Sequence, residues 1–185
     1  MSRLIMWNLV TLDGYFEGAK SWDLEWHESV WGPELEALSL EQLRRADRLI
    51  FGRVTYEGMA AYWKTAQGEI ADFMNRLPKV VFSRTLRRAD WSNTSLVNED
   101  AALKVPELKR KGEGVSFVFG SGNLSATLVN HGLFDEYRLA VAPILLGSGR
   151  PLFGQALARH PLKLLEARPL STGCVVLRYQ PAGDR

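Results

Sequence analysis

Three short segments of this chain set glycine, hydroxyl and arginine side chains directly after runs of apolar residues. "RLIF" runs into Gly52-Arg53-Val54-Thr55, "KVVF" into Ser83-Arg84-Thr85, and "VSFVF" into Gly120-Ser121-Gly122-Asn123 with Leu124 behind it. Glycine lets an anion approach the backbone closely, and arginine offers a planar fork to phosphate oxygens. A helix that starts just afterwards adds unpaired N–H groups and about half a positive charge. Each segment alone is weak. "GSGNLS" carries two glycines of the G-x-G-x-x-G dinucleotide fingerprint, with Ser125 in third place, and by itself reads equally as a tight turn. Arg53 and Arg84, taken singly, read as surface residues in ordinary ion pairs. Together the three segments suit a dinucleotide carrying several phosphates. No acid stands roughly 20 positions after the glycines to grip a ribose 2′-hydroxyl, as an NAD site expects. Two arginines at strand ends suit instead the 2′-phosphate of NADP.

These segments do chemistry together only if strands and helices bring them to one place. Residues 3 to 10 are apolar and read as a buried strand, and residues 13 to 36 as irregular, with a short helix near Trp26 to Trp31. Ser39 followed by Gln42 forms a capping-box pattern that starts a helix at Leu40. "RLIF" (48 to 51) is a strand stopped by Gly52, after which Thr55 caps a short helix through Ala61. Ile70, Phe73, Met74 and Leu77 line one face of a helix that Pro78 ends. "KVVFS" is a strand, Asp100 caps a helix to about Lys111, and "VSFVF" is a further strand. Leu124, Leu128 and Val129 line a helix closed by Gly132. "YRLAVAPIL", "LKLLEARPL" and "CVVLRYQ" finish the chain as β-rich sequence.

Strands alternating with helices through residue 131 predict an α/β fold, with a mostly parallel sheet and helices on both faces. The β-rich tail adds antiparallel strands at an edge. In a parallel sheet the three segments lie along one rim, beyond the carboxyl ends of the strands, where ligands of open α/β sheets bind. With no linker, repeat or low-complexity tract, residues 1–185 read as one domain.

Composition narrows the partners. The 185 residues are 46% apolar and 24% charged, ordinary for a globular chain with a sizeable core, and the net charge is +2. Arg44-Arg45, Arg87-Arg88 and Lys109-Arg110-Lys111 are short solvated clusters, not the coherent basic stripe of a nucleic-acid binder. No apolar run approaches the roughly 20 residues of a membrane span. "MSRLIMWNLV" reads as a first strand and not a signal peptide, so the "NTS" at 93 to 95 is a chance sequon. One cysteine, Cys174, excludes an internal disulfide and a multi-cysteine metal site. It reads as a buried strand thiol in a cytoplasmic protein, and no metal is expected.

The same residues carry a family resemblance. "FGRVTYEG" is similar to the G-R-x-T-[WY]-E segment of dihydrofolate reductases and their relatives, "KVVFSR" to their adenosine-phosphate strand and loop, and "VFGSGNL" to their later glycine turn. "TLDGYFEG" (11 to 18) and "DEYRLAVAPILLGSGRPLF" (135 to 153) resemble one branch, the RibD-type C-terminal reductase domain of riboflavin biosynthesis. The order of segments matches from about residue 3 to residue 180. The resemblance implies a dihydrofolate-reductase-like three-layer α/β/α fold that binds NADPH. It assigns Gly52, Arg53 and Thr55 to cofactor phosphates, Ser83 and Arg84 to the 2′-phosphate, and Gly120, Ser121, Gly122, Asn123 and Leu124 to the pyrophosphate. Dihydrofolate reductases have two adjacent glycines joined by a cis peptide at that turn. Here the second is Ser121, which leaves the geometry of the peptide open.

Departures bear on the substrate. None of Asp23, Glu25, Glu28, Glu34 or Glu36 sits where dihydrofolate reductases carry their pterin-holding acid, which argues against dihydrofolate. The zinc deaminase signature of the bifunctional riboflavin enzyme is absent from the sequence, so a stand-alone reductase is expected. "DGYFEG" also departs from the riboflavin motif at Tyr15 and Phe16. The implied chemistry is hydride transfer from NADPH to a carbonyl or imine of a small, pyrimidine- or pterin-like molecule, similar to 5-amino-6-(5-phosphoribosylamino)uracil reductase. Asp13 is the candidate for holding the substrate or relaying a proton, against an equally good Asp-Gly turn. Trp22, Trp26 and Trp31 offer a roof for a planar ring, with core packing accounting for at least two of them. His131 reads as a helix C-terminus, and His27 and His160 as exposed loop residues. The alternatives are a non-catalytic NADP(H)-binding protein on the same fold and a true dihydrofolate reductase. A homodimer through the β-rich C-terminal part is a family expectation.

Overall fold

A computed structural model describes residues 1–154 and 157–183. Its strands are β1 (Arg3–Thr11), β2 (Tyr15–Glu17), β3 (Ala46–Gly52), β4 (Lys79–Phe82), β5 (Thr94–Val97), β6 (Val115–Phe119), β7 (Glu136–Ala142), β8 (Arg150–Pro151), β9 (Leu162–Pro169) and β10 (Val175–Pro181). The helices are α1 (Pro33–Arg44), α2 (Arg53–Trp63), α3 (Glu69–Arg76), α4 (Ala101–Lys111) and α5 (Gly122–Asn130), with a 3-10 turn at Glu25–Ser29. Eight strands form one sheet in the order β5-β4-β3-β6-β1-β7-β10-β9, and β2 pairs with β8 in a separate ribbon.

The period-two pattern of the strands explains the layers. Ile5, Trp7, Leu49, Phe51, Val81 and Phe117 face a core shared with Leu35 and Leu43 of α1, Tyr56 of α2 and Met74 of α3. Leu4, Met6, Ile50, Val80 and Val118 face the opposite way, toward Val105 of α4 and Leu124 and Leu128 of α5. The central strands are therefore buried on both sides, as parallel strands under crossover helices must be. From β5 across to β7 every pairing is parallel, whereas β7 with β10 and β10 with β9 pair antiparallel. The first strand of the β-rich tail, β7, thus extends the parallel part before the direction reverses. At the edge, β9 leaves Leu162, Leu164 and Leu165 exposed.

Several local expectations shift. Helix α1 begins at Pro33, not Leu40: Gly32 stands at the N-cap, proline occupies the first turn, and Glu34 and Glu36 favour its positive end. Ser39 lies inside it, its hydroxyl donating to the Leu35 carbonyl at 2.8 Å. Helix α2 starts at Arg53, two residues before the expected Thr55 cap. Asp100 does cap α4, accepting from Ala102 N at 2.9 Å. Strand β5 went unseen because its four residues, Thr-Ser-Leu-Val, are half hydroxylic. Its pairing with β4 supplies what its composition does not.

Two buried charges tie elements together. Lys79 is 1% exposed, and its ammonium donates to the Met74 and Leu77 carbonyls at 2.7 Å each, closing the end of α3. Burial lowers its pKa to about 8. Glu136 is fully buried and bonded to Arg3 (2.8 Å), Arg138 (2.6 Å) and Arg178 (2.7 Å). Burial pushes its pKa up, but the Arg138 and Arg178 bonds outweigh that and hold it at about 2.

Candidate functional site

Strands β4, β3 and β6 are adjacent and parallel, so their carboxyl ends open onto one rim. A cleft of about 740 Å³ lies there. It is lined by Gly52, Arg53, Thr55, Ser83 and Arg84, and by Gly120, Ser121, Gly122, Asn123 and Leu124, so the fold brings all ten of these residues together.

The glycine turn is held by hydrogen bonds from three elements. Gly120 and Ser121 both take left-handed backbone angles, φ +52° and +60°, joined by a trans peptide. The Gly120 N–H donates to Asn8 Oδ1 of β1 (2.7 Å), and the Ser121 N–H to Thr55 Oγ1 of α2 (2.9 Å). In return Ser121 Oγ accepts from the Gly52 N–H (2.8 Å). A Cβ on Gly120 would stand 3.3 Å from the Thr55 side chain, so glycine suits both the angle and the fit. Helices α2 and α5 start at this junction, and neither takes a side-chain cap. The first N–H groups of each helix have no partner within it. Two such ends on one cleft make a place for an anion.

The arginines stand beside it. Arg53 pairs with Glu57 (2.8 Å) on exposed helix surface, and Arg84, 77% exposed, lies 4.0 Å from Asp100. Such pairs in solvent are worth about 0 to 1 kcal/mol and yield readily to a phosphate. Ser83 is 9% exposed, and its hydroxyl accepts from the Thr85 and Leu86 N–H groups (3.2 and 2.9 Å), which fixes the loop carrying Arg84.

The other half of the cleft is apolar, walled by Trp22, Leu24, Trp31, Met59, Trp63 and Ile70. Trp22 has φ +64°, and its backbone N–H donates to Glu17 Oε1. The other Glu17 oxygen lies 3.2 Å from Arg150, and the Glu17 side chain is only 5% exposed. Asn8, His27 and Gln42 also line the cleft, each with one enclosed nitrogen (Nδ2, Nε2 and Nε2) that no protein group partners.

The structure departs from the sequence reading at several residues here. Asp13 does not line the cleft. It closes the Thr11–Gly14 turn, with Gly14 at φ +87°, and accepts from the Thr11 hydroxyl (2.6 Å) and the Gly147 N–H (2.8 Å). Those bonds, Thr11 foremost, hold its carboxyl below the usual carboxylate range and tie the 146–147 loop to β1. His27 is no exposed loop residue: it is half-buried, edge-on to Trp26 at 4.3 Å, and burial lowers its pKa to about 4. Of the three tryptophans only Trp26 is core, whereas Trp22 and Trp31 line the cleft. His131 caps α5 as expected, and His160 is half-buried.

Sequence reasoning also missed Asn8, Glu17 and Arg150. The signal for Asn8 was a polar residue in an otherwise apolar strand. Glu17 and Arg150 carried none, because their meeting depends on β2 pairing with β8 across the chain. None of Asp23, Glu25, Glu28, Glu34 or Glu36 lines the cleft. Among the described residues no helix is long and apolar enough to cross a membrane, and no group of three ligating side chains could hold a metal.

Comparison with known proteins places this architecture. A family model described as the RibD C-terminal domain matches residues 3–176. YyaP of Bacillus subtilis (strain 168), itself uncharacterized, is 30% identical over 182 residues, covering 96% of this chain and 94% of its own. A protein of Shewanella sp. PV-4 described as a riboflavin biosynthesis protein superposes with a TM-score of 0.81 at 23% identity, over 99% of both chains. Dihydrofolate reductase from Enterococcus faecalis, complexed with NADP(H), superposes at 0.67 with 14% identity, over 97% of this chain and 96% of that one.

Proposed function

The chain belongs to the RibD C-terminal domain family of reductases, and from that membership we propose that it is an NADPH-dependent reductase of a small planar carbonyl or imine compound. The observation that carries this reading is the junction of α2 and α5. Two uncapped helix N-termini meet in one cleft, locked by the Ser121–Thr55 and Gly52–Ser121 bonds. Such a pair of helix ends suits a diphosphate, and the donors need no rearrangement to receive it. Arg84 and Arg53, held only in exposed pairs, suit the additional 2′-phosphate.

In this reading the residues Gly52 to Thr55 and Gly120 to Leu124 hold the pyrophosphate, and Ser83 shapes the loop that presents Arg84. Bound there, NADPH would supply the hydride for the substrate carbon, with a solvent proton balancing the reduction and NADP⁺ as the other product. The tryptophan-lined half orients the acceptor and excludes water around it. Asp13 acts by fixing the 146–147 loop and does not touch substrate. His27, with its pKa lowered to about 4, is neutral at pH 7 and serves as a hydrogen-bonding wall and not as an imidazolium.

The open cleft leaves room for a substrate beside the cofactor, which a closed, tryptophan-filled rim would not. The acids of residues 23–36 stay out of the cleft, which speaks against dihydrofolate as substrate. Thermal unfolding with NADPH and NADH tests the reading. At about 100 times its Kd, NADPH adds roughly 2.7 kcal/mol, which raises Tm by about 5 to 10 °C for a chain of this size. No shift at millimolar NADPH overturns the assignment.

A further inference from the structure

Resting on the reductase reading above, we propose that the substrate is an uncharged, flat, largely apolar ring compound, and that the cleft selects against a phosphorylated one. Among the described residues, Arg53, Arg84 and Arg150 are the cationic side chains that line the cleft. Arg53 and Arg84 stand on the phosphate rim at the ends of β3 and β4, in exposed pairs, and on the reductase reading the cofactor would take both. Only Arg150 remains for the substrate half.

The charge of Arg150 is already offset. Its guanidinium lies 3.2 Å from Glu17, whose side chain is 5% exposed and whose other oxygen accepts from the Trp22 N–H. The pair therefore brings no net positive charge to this half, and a phosphate that drew Arg150 away would leave a nearly buried carboxylate without its counter-charge. Glu17 also lines the cleft, so a substrate phosphate would enter against its negative charge.

What the pocket offers instead is ring surface. Three atoms of the Trp22 six-membered ring would lie 2.4 to 2.5 Å from a Cβ built on Gly58, so the indole lays its face on α2 where only glycine admits it. Trp31 and Trp63 add further aromatic wall, and Met59 and Ile70 fill between them. Apart from the Glu17–Arg150 pair, the unpartnered polar groups there are neutral. Asn8 (6% exposed) and Gln42 (3% exposed) each keep an amide N–H group without a protein partner, which suits a carbonyl oxygen but brings no positive charge to offset a dianion.

Calorimetric titration of the NADP⁺-saturated protein tests this, with isatin as the neutral flat carbonyl and 5-amino-6-(ribosylamino)uracil with and without its 5′-phosphate as the matched pair. Isatin and the unphosphorylated uracil are expected to bind, and the phosphate to weaken binding at least tenfold. Trp22→Ala should weaken isatin at least tenfold without changing NADP⁺ affinity, and Trp22→Phe should restore most of the loss. Tighter or equal binding of the phosphorylated compound overturns the proposal, as does failure of isatin to bind. NADP(H) binding with a preference for the phosphate sinks the substrate class alone, whereas absence of NADP(H) binding sinks the reductase reading itself.

Discussion

Thr55 and Ser121, 66 residues apart in the chain, fasten the start of α2 to the glycine turn before α5: Thr55 Oγ1 accepts from the Ser121 N–H at 2.9 Å. Both residues are under a tenth exposed, so the bond has no water to replace it. Thr55→Val keeps the shape and removes the acceptor, leaving a buried N–H unsatisfied at a cost of about 1 to 3 kcal/mol. Chemical denaturation should read that loss, and NADPH should bind more weakly because the two helix ends are no longer held in place. Thr55→Ser, which retains the hydroxyl, should keep both properties near the wild-type values. If Thr55→Val is as stable as the parent, the bond does not set the junction.

On the proposed reading, Arg84 tells the two nicotinamide cofactors apart. Its side chain is 77% exposed and only 4.0 Å from Asp100, so replacing it should leave stability within about 0.5 kcal/mol. Reversal of its charge acts instead on the group that NADPH has and NADH lacks. Arg84→Glu should weaken NADPH at least tenfold, read by fluorescence titration, and change NADH by less than about twofold. Equal losses for both cofactors would move the 2′-phosphate away from β4.

The proposed cofactor rim was legible in the sequence because each part lies within a few residues of a strand end. Gly52, Ser83 and Gly120 follow apolar runs whose parallel pairing could be inferred from alternation with helices. The substrate half was not legible, because its walls are assembled over long distances. Trp22 reaches α2 only because Gly58 leaves room for it, and Glu17 is enclosed only when β2 meets β8. Asp13 shows the same limit from the other side. Its Asp-Gly pair announced a turn or a catalytic group equally well, and the choice came from a partner at Gly147, 134 residues away. His27 looked exposed because the acidic and tryptophan-rich stretch around it has no periodicity, yet tertiary packing encloses its ring.

Gly58 gives a substitution whose local and tertiary effects oppose each other. Alanine inside a helix is favoured over glycine by about 0.8 to 1.0 kcal/mol. At this site the added methyl would meet the Trp22 ring at 2.4 Å, so the indole must leave its seat on α2. Gly58→Ala should therefore show no gain in Tm, a shifted tryptophan emission, and weaker binding of flat carbonyl compounds with NADPH affinity kept. A plain stabilisation with unchanged emission would mean that Trp22 does not rest there.

The pH dependence of stability follows from His27. Burial lowers its pKa to about 4 in the folded protein, against 6.5 for the free side chain. Above pH 6.5 both folded and unfolded chains carry it neutral, and its full contribution is present. As pH falls below 6.5 the unfolded chain takes up a proton that the folded chain refuses, so stability drops by up to about 1.4 kcal/mol per pH unit. The decline from this group ends near pH 4, where the folded ring is protonated too. Glu136 enters later: its folded pKa of about 2 makes its contribution fade only below the ordinary carboxylate value of 4.5. Urea unfolding at pH 7.5, 5.5 and 4.5 should therefore show a steeper fall for the wild type than for His27→Gln. Parallel curves for the two proteins would place the imidazole in solvent, and with it would go the neutral hydrogen-bonding wall assigned to the substrate half of the cleft.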